Sequence, residues 1–230
     1  PQVLKVIKKN KNRSKKIIQP KYCPSCNSQT IKDVDEAVLR CNNLNYCEAQ
    51  MIGQLVHFVS KKSMNIDGFG EKQVMQLYDL RFIKKMDDIF LLDKYKQQII
   101  ELDGWGKLSY NNLIKSINNS KTINLDKFIF SLGIRYVGEI NSKILAKEFL
   151  NISQLIDNSI NKERLELIDG LGPKVIQSIT KYFSNQKNIL ALTNLNNILK
   201  INDFQQPALN NFFSNKILVF TGTLKTLSRD

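Results

Sequence analysis

Four cysteines lie within the first fifty residues, and the rest of the chain has none. Two residues separate the first pair, fourteen separate the pairs, and five separate the second pair. The four residues are Cys23, Cys26, Cys41 and Cys47. A pair spaced by two residues places both thiolates on one side of a tight turn, and a second pair completes a tetrahedron around Zn²⁺. Four protein ligands leave no position for water, so the pattern predicts structural zinc.

Other chemistry for these cysteines is a redox pair at Cys23 and Cys26, an iron centre, or four unrelated thiols. A lone pair would leave these interpretations open, whereas the second pair favours zinc. The chain opens without a signal-peptide pattern, and clustered cysteines in such a protein favour metal binding over disulfides.

A second kind of site is indicated by short glycine turns that recur along the chain. They are Asp67–Gly70, Asp103–Gly106, the divergent Gly133–Gly138, and Asp169–Gly172. Their final glycines are separated by 36, 32 and 34 residues, a regular internal period. Apolar stripes at helical spacing follow the turns, and apolar segments precede them, so the sequence predicts four units of helix, hairpin and helix. Examples are Tyr110, Leu113, Ile114 and Ile117; Val175, Ile176, Ile179, Tyr182 and Phe183; Phe90–Leu92; and Phe128–Phe130.

Glycines in these turns let the backbone come close to another surface, because glycine has no Cβ. The helix that follows points unpaired N–H groups and the positive end of its dipole outward, which suits a phosphate oxygen. Lysines in the first helical turn would reinforce the contact, and such backbone contacts do not read base sequence. The predicted DNA-binding residues are Gly68, Gly70, Lys72, Gly104, Gly106, Lys107, Arg135, Gly138, Gly170, Gly172 and Lys174. The alternative is a helical-repeat scaffold that binds proteins, although such repeats do not require these glycines.

The charge of the chain agrees with a polyanionic partner. The 230 residues include 34 Lys and Arg against 21 Asp and Glu, a net charge of +13. Cationic surface binds nucleic acid by releasing the counterions that phosphates hold. An AT-rich genome also enriches Lys, Asn and Ile, so the charge by itself is weak support. No apolar run is long enough to cross a membrane, and we expect a cytoplasmic protein.

Complete catalytic motifs are absent from the sequence. The one histidine, His57, lies in an apolar stretch and is expected to be packed and hydrogen-bonded rather than catalytic. The Asp-Gly pairs are preceded two residues earlier by Asn65, Glu101 and Leu167, so none forms the Lys-x-Asp-Gly nucleophile motif of nucleotidyl transferases. We therefore expect no catalytic residue in this chain.

Taken together, these residues resemble the bacterial NAD-dependent DNA ligases. The motifs are Tyr22–Cys26, Arg40–Asn42 and Cys47–Gln50 for a zinc finger, His57–Lys72 for the entry to a helix-hairpin-helix domain, Ser131–Glu139 as a further hallmark, and Ile217–Gly222 as the first strand of a BRCT domain. Glu48 and Lys62 depart from the residues usual in the family, and neither is a metal ligand.

The resemblance implies the rest of the account. Such ligases adenylate a lysine from NAD, pass AMP to the 5′-phosphate of a nick and seal it with the 3′-hydroxyl. NAD and Mg²⁺ would act in a missing catalytic part upstream. The hairpins would grip the backbone of nicked double-stranded DNA, and we expect a monomer in the bacterial cytoplasm, associated with the nucleoid.

We expect a mainly α fold: a four-cysteine zinc finger, then a four-repeat helix-hairpin-helix array, with short strand remnants at both ends. Both ends look cut from a longer protein. The expected domains are the end of an oligonucleotide-binding barrel (1–22), the finger (23–50), the array (51–200), a linker (201–215) and the start of a BRCT domain (216–230). The alternatives are a zinc and hairpin part of another repair protein, such as a nuclease subunit, or the protein-binding scaffold.

Overall fold

The structure is a computed structural model that describes residues 18–33, 36–43 and 46–205. It has four short strands, β1 (Thr30–Ile31), β2 (Arg40–Cys41), β3 (Thr122–Asn124) and β4 (Lys200–Asn202). The α-helices are α1 (Glu48–Val59), α2 (Glu71–Asp79), α3 (Lys96–Ile100), α4 (Lys107–Ser120), α5 (Leu125–Ser131), α6 (Glu139–Phe149), α7 (Ile152–Asn158), α8 (Lys162–Glu166), α9 (Pro173–Phe183) and α10 (Gln186–Ile198). The predicted mainly α fold is confirmed. The strand remnants predicted at the two ends of the chain lie outside the described residues. Of the predicted 1–22 segment, the structure describes residues 18–22.

The four glycine turns open four helices, as the repeat predicts. Helices α2, α4, α6 and α9 each begin directly after a glycine that caps them, and these glycines are Gly70, Gly106, Gly138 and Gly172. In every turn, the amide just before the capping glycine donates to the carbonyl three residues earlier. The pairs are Phe69 to Ile66, Trp105 to Leu102, Val137 to Ile134 and Leu171 to Ile168. This shared bond defines the first hairpin (66–70), the second (102–106), the third (134–138) and the fourth (168–172).

When the four hairpins are aligned by this shared hydrogen bond, the third one has a different residue type at its third position. The third residue of each hairpin has a positive φ: +76° at Gly68, +77° at Gly104 and +88° at Gly170. In the third hairpin this position is Tyr136, with φ +65°. Side chains rarely adopt this left-handed backbone, so Tyr136 has to be held there by its surroundings.

The predicted apolar stripes face a common core. Tyr110, Leu113 and Ile117 of α4 are buried, as are Ile176 and Ile179 of α9. They belong to one cluster of buried side chains that extends from α1 to the residue after α10. Burial of one face of each amphipathic helix stabilises the array and leaves the hairpins at its surface.

The first two hairpins are linked by reciprocal hydrogen bonds. Gln76 of α2 donates to the Asp103 carbonyl at 3.2 Å and accepts from the Trp105 indole at 2.7 Å. In return, Ser116 of α4 accepts from the Asp67 amide at 2.7 Å. The helix after each of the first two hairpins therefore supports the other hairpin.

One segment expected to be α-helical takes a different conformation. The apolar run Phe90–Leu92 lies in a 3-10 helix, Met86–Tyr95, and α3 is the helix that directly precedes the second hairpin. Met86, Ile89, Leu92 and Tyr95 recur every three residues, and all four are at least partly buried. Side chains three residues apart align along a 3-10 helix, so this spacing suits the tighter turn.

A small sheet was not expected from the sequence. Strand β3 pairs in parallel with β4, with Ile123 opposite Ile201. Strand β4 therefore occupies the start of the predicted 201–215 linker, and the Phe204 amide then donates to the Leu150 carbonyl at 2.7 Å. The domain boundaries stay predictions, and α1 runs without a break across the one placed at residue 50.

Candidate metal centre and nucleic-acid interface

The four cysteine sulfurs come together at one point. All four lie within 4.8 Å of one another, with 3.8 Å between Cys23 and Cys47 and 3.4 Å between Cys26 and Cys41. A tetrahedral zinc site with Zn–S bonds of about 2.3 Å requires sulfurs about 3.8 Å apart. Disulfide sulfurs would lie about 2.05 Å apart. The geometry therefore fits a four-cysteine zinc site and not two disulfides.

The sequence around each pair explains how the thiols are placed. In the first pair, the Asn27 amide donates to the Cys23 carbonyl at 2.9 Å, and Asn27 adopts a φ of +55° that closes the turn. In the second pair, Cys41 ends β2, which pairs antiparallel with β1, and Cys47 caps the start of α1. The metal would join a turn, a strand pair and a helix that share little apolar surface.

The thiols also influence one another electrostatically. Hydrogen bonds from the side chain and backbone of Ser28 lower the pKa of the Cys26 thiol to about 6. The Asn43 amide, which donates to the Cys41 sulfur at 3.4 Å, lowers the pKa of Cys41, but burial and the neighbouring thiols raise it to about 12. Neighbouring thiolates repel one another, so full ionisation of the cluster needs a cation, which Zn²⁺ would supply.

The rest of the described chain offers no competing metal site. Within residues 18–33, 36–43 and 46–205, these cysteines are the one group of three or more possible ligands. His57 is packed, as predicted: its Nε2 lies 2.8 Å from the Phe130 carbonyl oxygen, and its ring contacts the Phe130 ring edge to face. Four cysteine ligands leave no open coordination position, so the zinc that this cluster would hold is structural.

The capping glycines of the hairpins face open space. A Cβ built on Gly106, Gly138 or Gly172 would meet no atom within 4 Å, and on Gly70 it would lie 3.2 Å from the Gln73 side chain. The φ angles of Gly106, Gly138 and Gly172 are −176°, −84° and −79°, which any residue can adopt. Neither internal packing nor backbone conformation requires glycine at these three positions. Close approach by an outside partner does explain them.

The predicted lysines lie beside these glycines. Lys72 and Lys174 are the second residues of α2 and α9, Lys107 is the first residue of α4, and all three are exposed. The second residues of α4 and α6 are instead Leu108 and Ile140, whose exposed fractions are 76% and 77%. Sequence reasoning missed these two side chains, which add exposed aliphatic groups beside the second and third hairpins.

Arg135 has partners that the sequence did not predict. Its Nη2 lies 2.7 Å from Asp33 Oδ2 and 2.6 Å from Glu36 Oε2, both in the finger. The Tyr136 hydroxyl donates to Glu36 Oε1. These hydrogen bonds, from Tyr136 first and then Arg135, lower the pKa of Glu36 to about 2. Binding of DNA by Arg135 remains a prediction, and its guanidinium is engaged by carboxylates.

Two further exposed contacts join residues that are distant in sequence. Lys187 at the start of α10 donates to the Tyr46 hydroxyl at 3.0 Å and lies over its ring. Lys62 Nζ lies 2.7 Å from Glu139 Oε1, at the start of α6. Exposed contacts of this kind contribute little to stability individually. The Lys187–Tyr46 contact joins the finger to α10, whereas the Lys62–Glu139 contact lies within the array.

Comparison with known proteins gives the same two parts. Residues 22–49 match the family model of the NAD-dependent DNA ligase C4 zinc finger domain, and residues 127–192 match the helix-hairpin-helix motif. A DNA ligase of Pelagibacter ubique is 43% identical over 239 residues, covering 100% of this chain and 35% of that protein. DNA ligases of Rickettsia prowazekii and Orientia tsutsugamushi are 39% and 38% identical, covering 100% and 94% of this chain and 35% and 33% of those proteins.

The chain is similar to one part of the bacterial DNA ligases. It spans about a third of the length of the curated ligases it matches. Its cysteine cluster lies in the region that matches the zinc finger of NAD-dependent ligases, and its third and fourth hairpins lie in the region that matches the helix-hairpin-helix motif. Among the helices of the described ranges, none is long and apolar enough to cross a membrane.

Proposed function

We propose that this chain is the segment of an NAD-dependent DNA ligase that grips double-stranded DNA at nicks during replication and repair. The observation that carries the proposal is the open space around the capping glycines Gly106, Gly138 and Gly172. A fold that needs no glycine there, yet has one in each hairpin, suits the approach of a DNA backbone.

The grip would combine three kinds of contact across the four hairpins. The first turn of the following helix presents amides with no partner inside the helix, and the helix dipole adds a partial positive charge behind them. Lys72, Lys107 and Lys174 add full charges beside three of the hairpins. The aliphatic Leu108 and Ile140 would lie against sugars between the phosphates. Such contacts hold the duplex without regard to base sequence.

Zinc and the catalytic cofactors would have separate roles. Zn²⁺ held by Cys23, Cys26, Cys41 and Cys47 would supply the folding energy of the finger, and four protein ligands leave it no open position for catalysis. Adenylation from NAD, and the Mg²⁺ it uses, would belong to the part of the ligase outside this chain. We infer a monomer that acts on the nucleoid in the bacterial cytoplasm, divided at the domain boundaries given above.

The scaffold alternative has one observation in its favour. Leu108 and Ile140 are exposed aliphatic side chains, as at some protein-binding surfaces. A protein partner held by these side chains would leave Lys72 and the capping glycines without a role. Replacing the lysines therefore separates the two proposals.

Replacing Lys72 with glutamine should weaken binding to all duplexes equally and reduce their salt dependence. One lost phosphate contact lowers the slope of log affinity against log salt by about 0.9. Titrations of two duplexes of unrelated sequence at several salt concentrations would measure this slope. Lys200→Gln, an exposed lysine of β4, is the matched control and should keep the wild-type slope. A wild-type slope in Lys72→Gln would count against the hairpin contact.

A further inference from the structure

The third hairpin differs from the other three at two adjacent positions, and both have the same partner. Arg135 stands where the others have aspartate, and Tyr136 stands where they have a left-handed glycine. Tyr136 nevertheless keeps the left-handed conformation, with φ +65°. The residues in the other hairpins are Asp67 and Gly68, Asp103 and Gly104, and Asp169 and Gly170.

The shared partner is Glu36 of the finger. Its Oε2 accepts from Arg135 Nη2 at 2.6 Å, and its Oε1 accepts from the Tyr136 hydroxyl. Asp33 adds a second carboxylate to Arg135 at 2.7 Å. The Glu36 side chain is 15% exposed, so this contact is better shielded from solvent than the surface ion pairs.

Glu36 is in turn fixed by the metal-binding part of the finger. Arg40 Nε donates to Glu36 Oε2 at 3.3 Å, and Arg40 lies in β2 beside the zinc ligand Cys41. A short path of contacts therefore runs from the cysteine cluster through Arg40 and Glu36 to Arg135 and Tyr136.

The local charge balance indicates what this path does. Two carboxylates, Asp33 and Glu36, face two guanidinium groups, Arg40 and Arg135, and their formal charges cancel. A phosphate reaching Arg135 would have to displace carboxylates already bonded to it. A structural function for Arg135 explains both its partners and the strained tyrosine beside it.

We propose that Glu36 is a positioning residue that holds the third hairpin in its DNA-facing shape through Arg135 and Tyr136. In the other hairpins a glycine adopts the left-handed conformation without strain. In the third hairpin, the Glu36 carboxylate holds Tyr136 in that same conformation. The zinc finger thereby sets the geometry of a hairpin that is distant in sequence. Arg135 joins the finger to the array and is not itself a phosphate ligand.

Hydrogen exchange of the third hairpin tests the contact without DNA. In Glu36→Gln the Val137 amide, bonded to Ile134 at 2.9 Å, should exchange about three- to tenfold faster. The second hairpin, residues 102–106, should be unchanged and serves as an internal control. Glu163→Gln, an exposed glutamate of α8, is the matched control variant. Unchanged exchange at Val137 in a Glu36→Gln protein that retains zinc would overturn the proposal.

A combined variant separates positioning from general destabilisation. In a protein carrying Arg135→Met and Tyr136→Phe, Glu36→Gln should cause no further acceleration at Val137, because both of its partners in the third hairpin are already gone. Additive acceleration would overturn the proposal. Asp33→Asn, which removes the other carboxylate, should give a smaller change in the same direction. It keeps the test available if Glu36→Gln fails to fold.

The expected effect of Glu36→Gln on DNA affinity rests on the proposed function. The direction of the change distinguishes a positioning role from a blocking role. Glu36→Gln should weaken binding about threefold and leave the salt slope unchanged, since no phosphate contact is removed. Tighter binding with a slope steeper by about 0.9 would show that Arg135 is a phosphate ligand that Glu36 blocks, and would overturn the proposal. A wild-type chain that binds no DNA would overturn the proposed function, while the exchange measurement still decides the role of Glu36.

Discussion

Replacing Cys41 with serine should abolish zinc binding, so that metal content falls from about one equivalent per chain to almost none. Cys41 is held in β2, with its sulfur 3.4 Å from that of Cys26, and a serine hydroxyl is a poor substitute for a thiolate on Zn²⁺. The β1–β2 pair and the Cys23–Cys26 turn should then unfold. The helical array should remain, because its core of buried side chains extends through α2 to α10.

Metal analysis of the purified protein, together with circular dichroism, would measure both effects. Asn42→Ala changes the residue next to Cys41 without removing a ligand, and it should keep full zinc content. Full zinc content in Cys41→Ser would contradict the four-cysteine site. Complete loss of helical signal would instead show that the array depends on the finger for folding.

Replacing Gly172 with threonine should reduce DNA affinity about tenfold or more, which is about 1.4 kcal/mol, while the fold is retained. Nothing lies within 4 Å of a Cβ at this position, and its φ of −79° accepts any residue. Threonine caps a helix about as well as glycine, so α9 should begin where it does now. The added side chain would occupy the space through which a phosphate reaches the first amides of α9.

Binding titrations and thermal unfolding of the same protein would separate these two effects. Gly53→Thr is the matched control, because Gly53 lies within α1 and a Cβ there also meets nothing within 4 Å. It should bind DNA as the wild type does. Wild-type affinity in Gly172→Thr would remove the main support for backbone approach at the fourth hairpin.

The chemistry of the cysteines and the helix starts could be predicted from sequence because each depends on local spacing. A Cys-x-x-Cys turn brings two thiols together regardless of the rest of the fold. A glycine in a repeated turn marks a cap because the helical pattern starts directly after it. The structure accordingly groups the four thiols and starts α2, α4, α6 and α9 after the predicted glycines.

The missed features depend on contacts between distant residues. Strands β3 and β4 have three residues each, too few to show an alternating pattern, and their pairing joins residues 122–124 to 200–202. The Glu36 contact with Arg135 and Tyr136 spans about a hundred residues. The substitution of Tyr136 for a glycine was a visible sign of something unusual there. Its partner could not be identified without the fold.

Arg135 shows why charge alone overstates a binding surface. From the sequence, an arginine inside a glycine hairpin looks available for phosphate. In the fold it lies between two carboxylates, whereas the lysines at positions 72 and 107 are exposed at the ends of their helices. The DNA-facing charge therefore depends on which basic residues the finger engages.

The most direct test of backbone gripping is the affinity of the wild-type chain for nicked and intact duplexes of unrelated sequence across a salt series. If Lys72, Lys107 and Lys174 each neutralise one phosphate, log affinity should fall with log salt at a slope of about −2.7 on every sequence. Tighter binding to the nicked duplex would further support a ligase segment. A flat salt dependence, or no binding at about 50 mM salt, would contradict the account.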